Sequence, residues 1–277
     1  MCIGLGQPQH RTELAKQYDL ISLFLNEEVS SKEKLSEKEL RDIAINFIIA
    51  GRDTTASLLT WTCYELSLYP EIQDNILNEL KSVVGITNDK DLAKLEGLTF
   101  EHISKLTYLE AVLLEALRLH PSVPTMLRFA QEDIKMPGGE IIRKGDGIVI
   151  FSFALARLEK LWPNPLEFNP KRFLDCKEPH PAYYYPFFNV QPRLCLGKHV
   201  ALMEAKIAIA KIIVKYHLKL KQGQKFTPVF SATLQLKEGM EMFFVPRKGQ
   251  TTPLNDLNKT TNSFVTILKL FVIDLNY

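Results

Sequence analysis

Helix-compatible spacing of apolar residues dominates the first part of this chain and gives way to alternating and irregular patterns after Pro121. Ser36 followed by Glu39 reads as a capping box. From there LSEKELRDIAINFIIAGRDTTASLLTWTCYELSLYP stays helical in pattern until Pro70, roughly 33 residues or about 50 Å at 1.5 Å rise per residue. Gly51, Asp53, Thr54 and Thr55 stand near its middle. Polar residues directly after the apolar run FIIAG make poor core unless something polar sits opposite. A second helix follows Pro70 (EIQDNILNELKSVVG), with proline at its first turn. A third runs through LTYLEAVLLEALRLH and stops at Pro121. VPTMLRFA, EIIRKG and GIVIFSF then read as strands, punctuated by Pro137-Gly138-Gly139 and Gly145-Asp146-Gly147. The Pro- and aromatic-rich stretch from LWPNPLEFNPKRF to HPAYYYPFF has no period and predicts irregular, packed backbone. One more strong helix, KHVALMEAKIAIAKIIVKYH, follows Gly197, and SATLQLKEGMEMFFVP predicts a closing hairpin.

Composition narrows the class only a little. The 277 residues suffice for one large domain, and 46% hydrophobic with 24% charged residues is ordinary globular usage. A net charge of +2 gives no reason to expect nucleic-acid binding. Cys2, Cys63, Cys176 and Cys195 are scattered without a C-x-x-C pair, which suits a reducing compartment. No stretch reaches the 18 or so apolar residues of a membrane span, and the N-terminus has no signal-peptide pattern. The chain is therefore expected to carry no anchor or signal of its own.

Four short motifs carry candidate chemistry. In FFNVQPRLCLGKHVALMEA, Cys195 sits just ahead of a helix N-terminus, where free amides and the helix dipole favour negative charge on sulfur. Thiolate is the metal-binding form. Gly197 permits a tight turn there, and Arg193 stands within reach of an anionic group on a bound cofactor. A lone cysteine of this kind is more commonly a buried structural thiol. Glu115 and Arg118 share one helix face at i and i+3, which taken alone reads as an exposed salt bridge. Pro170-Lys171-Arg172-Phe173 in the irregular stretch reads alone as loop, and Ala50 to Thr55 as a weak polar kink.

In combination and in this order, AGRDTT, EALR, NPKRF and FNVQPRLCLG strongly resemble the motifs of the cytochrome P-450 family. The resemblance covers about residues 18 to 248, the second half of a full family member. It implies a mainly α fold with a minor antiparallel β-sheet, truncated at the N-terminus. Residues 1–248 would be the haem-binding portion, with 249–277 an atypical tail. It also implies a haem-thiolate monooxygenase in which Cys195 ligates the iron of haem b (iron protoporphyrin IX). Thr54, with Asp53 beside it, would relay protons, and Gly51 would leave room for oxygen. Arg128 and Arg193 would pair with haem propionates, and Phe188 and Gly197 would complete the cofactor site. Glu115, Arg118 and Arg172 would form a buried network anchoring the ligand loop. Electrons would come from NADPH through a separate reductase. The parent protein would be a monomer on the cytosolic face of the endoplasmic-reticulum membrane.

Phe47, Ala50, Val123, Met126, Leu127 and Leu234 lie in segments that would face substrate; they are apolar and argue for a hydrophobic small molecule. FIIAGRDTTASLLTW and FNVQPRLCLGK look most like the fatty-acid ω-hydroxylase branch, which points to a long-chain fatty acid or alkane, with steroid- and terpenoid-hydroxylating relatives also open. Lys198, Lys206, Lys211, Lys215 and Lys219 suggest a basic face for an acidic electron-transfer protein. Gln191 occupies a position where the family has glycine, which would strain the loop if φ were positive there. Two alternatives stay open. Cys176, His180, Cys195 and His199 form two Cys-x₃-His pairs able in principle to hold structural zinc. The chain is also readable as an inactive fragment, because the family's N-terminal half is missing and haem retention is expected to be poor.

Overall fold

The computed structural model describes residues 21–25, 35–87, 94–95, 97–174 and 182–247. The tail from 249 onward, Cys2, Cys176 and His180 lie outside the described residues, and with them two ligands of the zinc alternative. The chain divides into two compact units, Met1–Asp53 and Thr54–Tyr277. In the first, residues 21–25 are helical and α1 (Glu37–Leu68) begins. The capping box forms as its residues dictate: the Ser36 amide donates to Glu39 Oε2 at 2.8 Å and the Glu39 amide to Ser36 Oγ at 3.2 Å. Past Leu40 the helix exposes Ile45, Phe47, Ile48 and Ile49. The unit boundary falls inside α1, and the polar AGRDTT stretch leaves the helix unbroken.

In the second unit the remainder of α1 is followed by α2 (Pro70–Val84), which Gly85 ends in the left-handed conformation at φ 76°. A short α3 (Phe100–Ser104), which the apolar pattern does not reveal, precedes α4 (Thr107–Leu119). After α4 come strands β1 (Thr125–Phe129), β2 (Ile134–Lys135), β3 (Ile141–Ile142) and β4 (Gly147–Phe151), and then one helical turn, α5 (Ser152–Leu155). The predicted strand GIVIFSF thus stops at Phe151. Helix α6 (Lys198–Lys215) leads into β5 (Tyr216–Leu220), β6 (Pro228–Phe230), β7 (Leu234–Leu236) and β8 (Met242–Pro246).

Apolar residues at helical spacing on α1, α2, α4 and α6 meet in one core that includes Leu58, Leu66, Ile76, Leu80, Leu109, Leu113, Ala205, Ile209 and Ile213. Each buried leucine or isoleucine there contributes about 1.5–3 kcal/mol by burial. Among the described residues the strands pair as four antiparallel ribbons, β1 with β4, β2 with β3, β5 with β8 and β6 with β7.

Two expectations fail here. The last helix does not run through His217, because Tyr216 turns extended (φ −134°, ψ 151°) and enters a ladder opposite Pro246. The closing hairpin does not form either. Leu234–Leu236 pairs back to Pro228–Phe230, while Met242–Pro246 crosses to β5. Pairing partners so far apart in sequence leave no mark on local periodicity.

Candidate functional site

The loop before α6 is built from short-range backbone bonds. Pro186–Phe188 forms a 3₁₀ turn, the Arg193 amide donates to the Val190 carbonyl at 2.7 Å, and the Cys195 amide donates to the Phe188 carbonyl at 2.8 Å. This closes a turn that presents an exposed, free Cys195 thiol. Among the described residues, the amides of Leu196, Gly197, His199 and Val200 have no hydrogen-bond acceptor. They are the unfilled donors of a helix start. Leu196 is 88% exposed beside it, and Arg193 is exposed without a carboxylate partner among the described residues.

Two glycine arguments are corrected. Gln191 does not adopt positive φ, so the departure from glycine there carries no such strain. The loop instead puts Asn189 at φ 63°, ψ −175°, a region nearly reserved for glycine. Gly197 sits at φ −82°, ψ 4°, which any residue tolerates, and an added Cβ would meet only Cys195 Sγ at 4.0 Å. Asn189→Gly is therefore expected to stabilise the chain by about 1 kcal/mol, read from the urea midpoint. An unchanged or lowered midpoint would show that the Oδ1 contact to the Val190 amide, at 3.1 Å, outweighs the strain.

Glu115, Arg118 and Arg172 come together. Arg118 grips Glu115 through Nε–Oε2 at 2.7 Å and Nη2–Oε1 at 2.8 Å, and Arg172 Nε reaches Oε1 at 3.2 Å. Glu115 and Arg118 side chains are 0% exposed, so the bland reading of a surface salt bridge is excluded. Every remaining donor of Arg118 is used: Nη1 donates to the carbonyls of Ala156 and Pro165, and Nη2 to that of Glu167. Arg172 donates to the carbonyls of Pro163 and Asn164. These bonds hold the segment from Ala156 to Asn169.

An aromatic chain missed from the sequence continues from there. Trp162 lies 5.2 Å from the Arg118 guanidinium, and Phe173 and Tyr185 pack at 6.1 and 6.2 Å from Trp162. Tyr185 touches Phe187, which touches Phe188, the residue whose carbonyl closes the cysteine turn. The clustering of aromatics in the irregular stretch was the available signal, but with no period it named no partners.

Residues 7–243 match the family model described as Cytochrome P450. The chain belongs to the cytochrome P450 family. It is 36% identical over 242 residues to "Cytochrome P450 86B1" of Arabidopsis thaliana, a match covering 85% of this chain and 43% of that relative. It is 33% identical to "Cytochrome P450 4c3" of Drosophila melanogaster, covering 77% of this chain and 39% of the relative. With "Alkane hydroxylase MAH1" of Arabidopsis thaliana the identity is 31%, over 81% of this chain and 44% of the relative. The chain spans less than half the length of these curated relatives.

Membership in the P450 family implies a haem, and the residues present fit one. An exposed, free thiol is the chemical type of ligand that holds haem iron, and Arg193 and Arg128 are cations of the type that pair with propionates. Arg128 is half-buried on β1, its Nη1 donating to the Leu127 carbonyl at 2.8 Å. Phe188 packs against the core, with Lys198 Nζ 5.8 Å from its ring. In the first unit, Gly51 faces open space, and Asp53 lies 3.7 Å from Arg52 with both side chains exposed. In the second, the Thr54 carbonyl accepts from Ser122 Oγ at 2.9 Å. Phe47, Ala50 and Leu127 are exposed, and Val123 and Met126 are half-buried. Leu234 is a correction: its side chain is 0% exposed, so it offers no surface to a substrate. The lysine face is also thinner than expected, because Lys206 is buried and paired with Glu110.

His120 and Glu65 form a second buried polar pair, Nε2 to Oε1 at 2.6 Å, with the imidazole stacked on Trp61 at 4.1 Å and 3°. The distance would suit an ion pair, yet burial holds His120 below its ordinary 6.5, outweighing the opposing pull of Glu65. Burial thus disfavours the charged imidazole at this contact. With the folded value depressed, the unfolded chain takes up the proton first as pH falls through 6.5. Stability is thus expected in full above that pH and to decline below it. His217, lowered by burial and Arg247, acts with the same sign. Urea unfolding at about pH 7.5 and about pH 5 checks this, and His120→Gln should shrink the difference between them. An undiminished difference would remove His120 as its source.

Proposed function

We propose that residues 1–248 are the haem-binding C-terminal portion of a haem-thiolate monooxygenase acting on a hydrophobic substrate. The exposed Cys195 thiol, held in a closed turn among unpartnered amides at the start of α6, is the observation that carries this reading. Cys195 would ligate the iron of haem b, Arg193 and Arg128 would bind its propionates, and Phe188 would pack against it. A thiolate-held haem, when bound, supplies the activation of O₂ that puts one oxygen atom into a C–H bond and the other into water.

Thr54 Oγ1, with the Asp53 carboxylate beside it in sequence, passes the protons this requires. Gly51 leaves space open at that stretch of α1. Glu115, Arg118 and Arg172 act as positioning residues through the segment they hold and through the aromatic chain from Trp162 to Phe188. Electrons come from NADPH through a separate reductase, for which the exposed Lys211 and Lys219 offer docking charge. The parent protein is proposed to be monomeric and to work at the cytosolic face of the endoplasmic reticulum; among the described residues no helix is long and apolar enough to cross a membrane.

Val123, Met126 and Leu127 present apolar surface without fixed charge, and Phe47 and Ala50 do the same on their own unit. This supports a long-chain fatty acid or alkane, and a relative named as an alkane hydroxylase favours the same class. The carbon-monoxide difference spectrum of the reduced, haem-supplied chain tests the assignment. A strongly red-shifted Soret band is expected. A band at the position of free or histidine-ligated haem would overturn it. That outcome would favour the second reading, an inactive piece of such an enzyme.

A further inference from the structure

Helix α1 carries a polar stripe in which only Thr54 has a role above. Thr54, Ser57, Trp61 and Glu65 recur every three or four residues and therefore share one face of the helix. Each is engaged by one of two chain segments far away in sequence. The Leu234 carbonyl accepts from both Ser57 Oγ, at 2.8 Å, and Trp61 Nε1, at 3.2 Å. The Leu234 amide donates to the Ser122 carbonyl at 3.0 Å, and Ser122 Oγ donates in turn to the Thr54 carbonyl at 2.9 Å. Two residues earlier, His120 binds Glu65 and stacks on the Trp61 indole.

Leu234 is thus held by its backbone at a strand end. It stands opposite Phe230 at the end of the β6–β7 ribbon, yet its N–H goes to Ser122 and its C=O to α1. Both lone pairs of that carbonyl are filled by side chains of one helix, at a residue that is wholly buried. Neighbouring Phe230, Ser231 and Ala232 are exposed, as is Leu127 five residues beyond Ser122. The bonds therefore tie two exposed apolar margins to one stretch of α1 that begins at Thr54.

We propose that Ser57 and Trp61 are positioning residues which lock the Ser122 segment and the Leu234 turn into one rigid wall at a fixed height along α1, and so determine which carbon of a hydrophobic substrate chain is oxidised. The regiochemical part rests on the monooxygenase reading; the mechanical part does not. The chemistry of the contacts separates this from general core packing. Trp61→Phe keeps an aromatic ring beside His120 while removing the donor together with part of the indole's bulk, and Ser57→Ala removes only the hydroxyl, which Ser57→Thr supplies again.

The test is amide hydrogen exchange on the full chain, with the Ser57→Ala/Trp61→Phe double variant against the parent. Exchange of the Leu234 amide is expected to rise at least about tenfold, because two bonds to a buried carbonyl are lost. Peptides over 120–124 should rise with it, while α4 amides such as Leu113 keep their protection. Ser57→Thr in the Trp61→Phe background should recover part of the protection. Unchanged exchange at Leu234, or a rise spread equally over α4, overturns the clamp. With haem-loaded chain, O₂, NADPH and a P450 reductase supplying the two electrons, and a linear fatty acid, the double variant should spread the product over neighbouring carbons. An unaltered product pattern despite loosened exchange overturns the regiochemical role. Absence of any turnover in the parent counts against the monooxygenase reading and leaves the clamp to be decided by exchange alone.

Discussion

Replacing Glu115 with glutamine is expected to destabilise the chain by about 3–5 kcal/mol, a large share of the roughly 5–15 kcal/mol that holds a typical domain together. The side chain keeps its size, so the loss comes from charge. Glu115 accepts from Arg118 twice, from Arg172 and from the Asn169 amide, all within 3.2 Å. A neutral amide cannot accept from so many donors, and its own N–H₂ would face two guanidinium groups. Arg118, wholly buried, would be left with no compensating negative charge. Arg118→Lys separates charge from geometry. It keeps the cation but forfeits the fork that reaches Ala156, Pro165 and Glu167. Soluble yield and urea midpoint are the readouts. A Glu115→Gln variant within about 1 kcal/mol of the parent would mean that the network is dispensable to the fold.

The second large effect is chemical and nearly silent in stability. Cys195→Ala is expected to abolish the red-shifted Soret band of the carbon-monoxide complex and all oxygenation, while moving the urea midpoint by less than about 0.5 kcal/mol. Cys195 is exposed, so its removal opens no buried cavity. The turn around it is closed by backbone bonds that alanine retains. Retention of the red-shifted band by the alanine variant would show that another residue ligates the iron. A large fall in stability would assign Cys195 to packing. The pairing of these two substitutions is informative: one removes the fold and leaves the ligand, the other removes the ligand and leaves the fold.

Much of this architecture was legible from residue order. Ser36 and Glu39 predicted the start of α1, and Pro70, Pro121 and Gly197 the limits of three helices, because caps and breakers act within one helical turn. AGRDTT, EALR, NPKRF and the cysteine loop together pointed to the family and to a thiolate ligand. Other features were legible only in kind. That Glu115 and Arg118 share a helix face follows from spacing, but spacing is the same for a solvated pair and for a pair wholly buried. Lys206 read as part of a basic face, and the fold buries it against Glu110. Leu234 read as pocket wall, and the fold turns its side chain inward and uses its backbone instead.

The sequence by itself determined where α1 and α6 begin, where α1 and α4 stop, the family and the identity of the cysteine presented ahead of α6, since caps, breakers and motifs are read from local residues. Tertiary structure alone decided which strands pair, so that β8 joins β5 and the expected hairpin is absent. It also decided that Asn189 and not Gln191 takes the left-handed conformation, and that Ser57 and Trp61 close on a carbonyl 177 and 173 residues away. Such contacts form only where the core has already brought distant segments together. Buried polar groups then bond whatever partner lies within reach, because leaving one unpaired costs more than most local preferences supply.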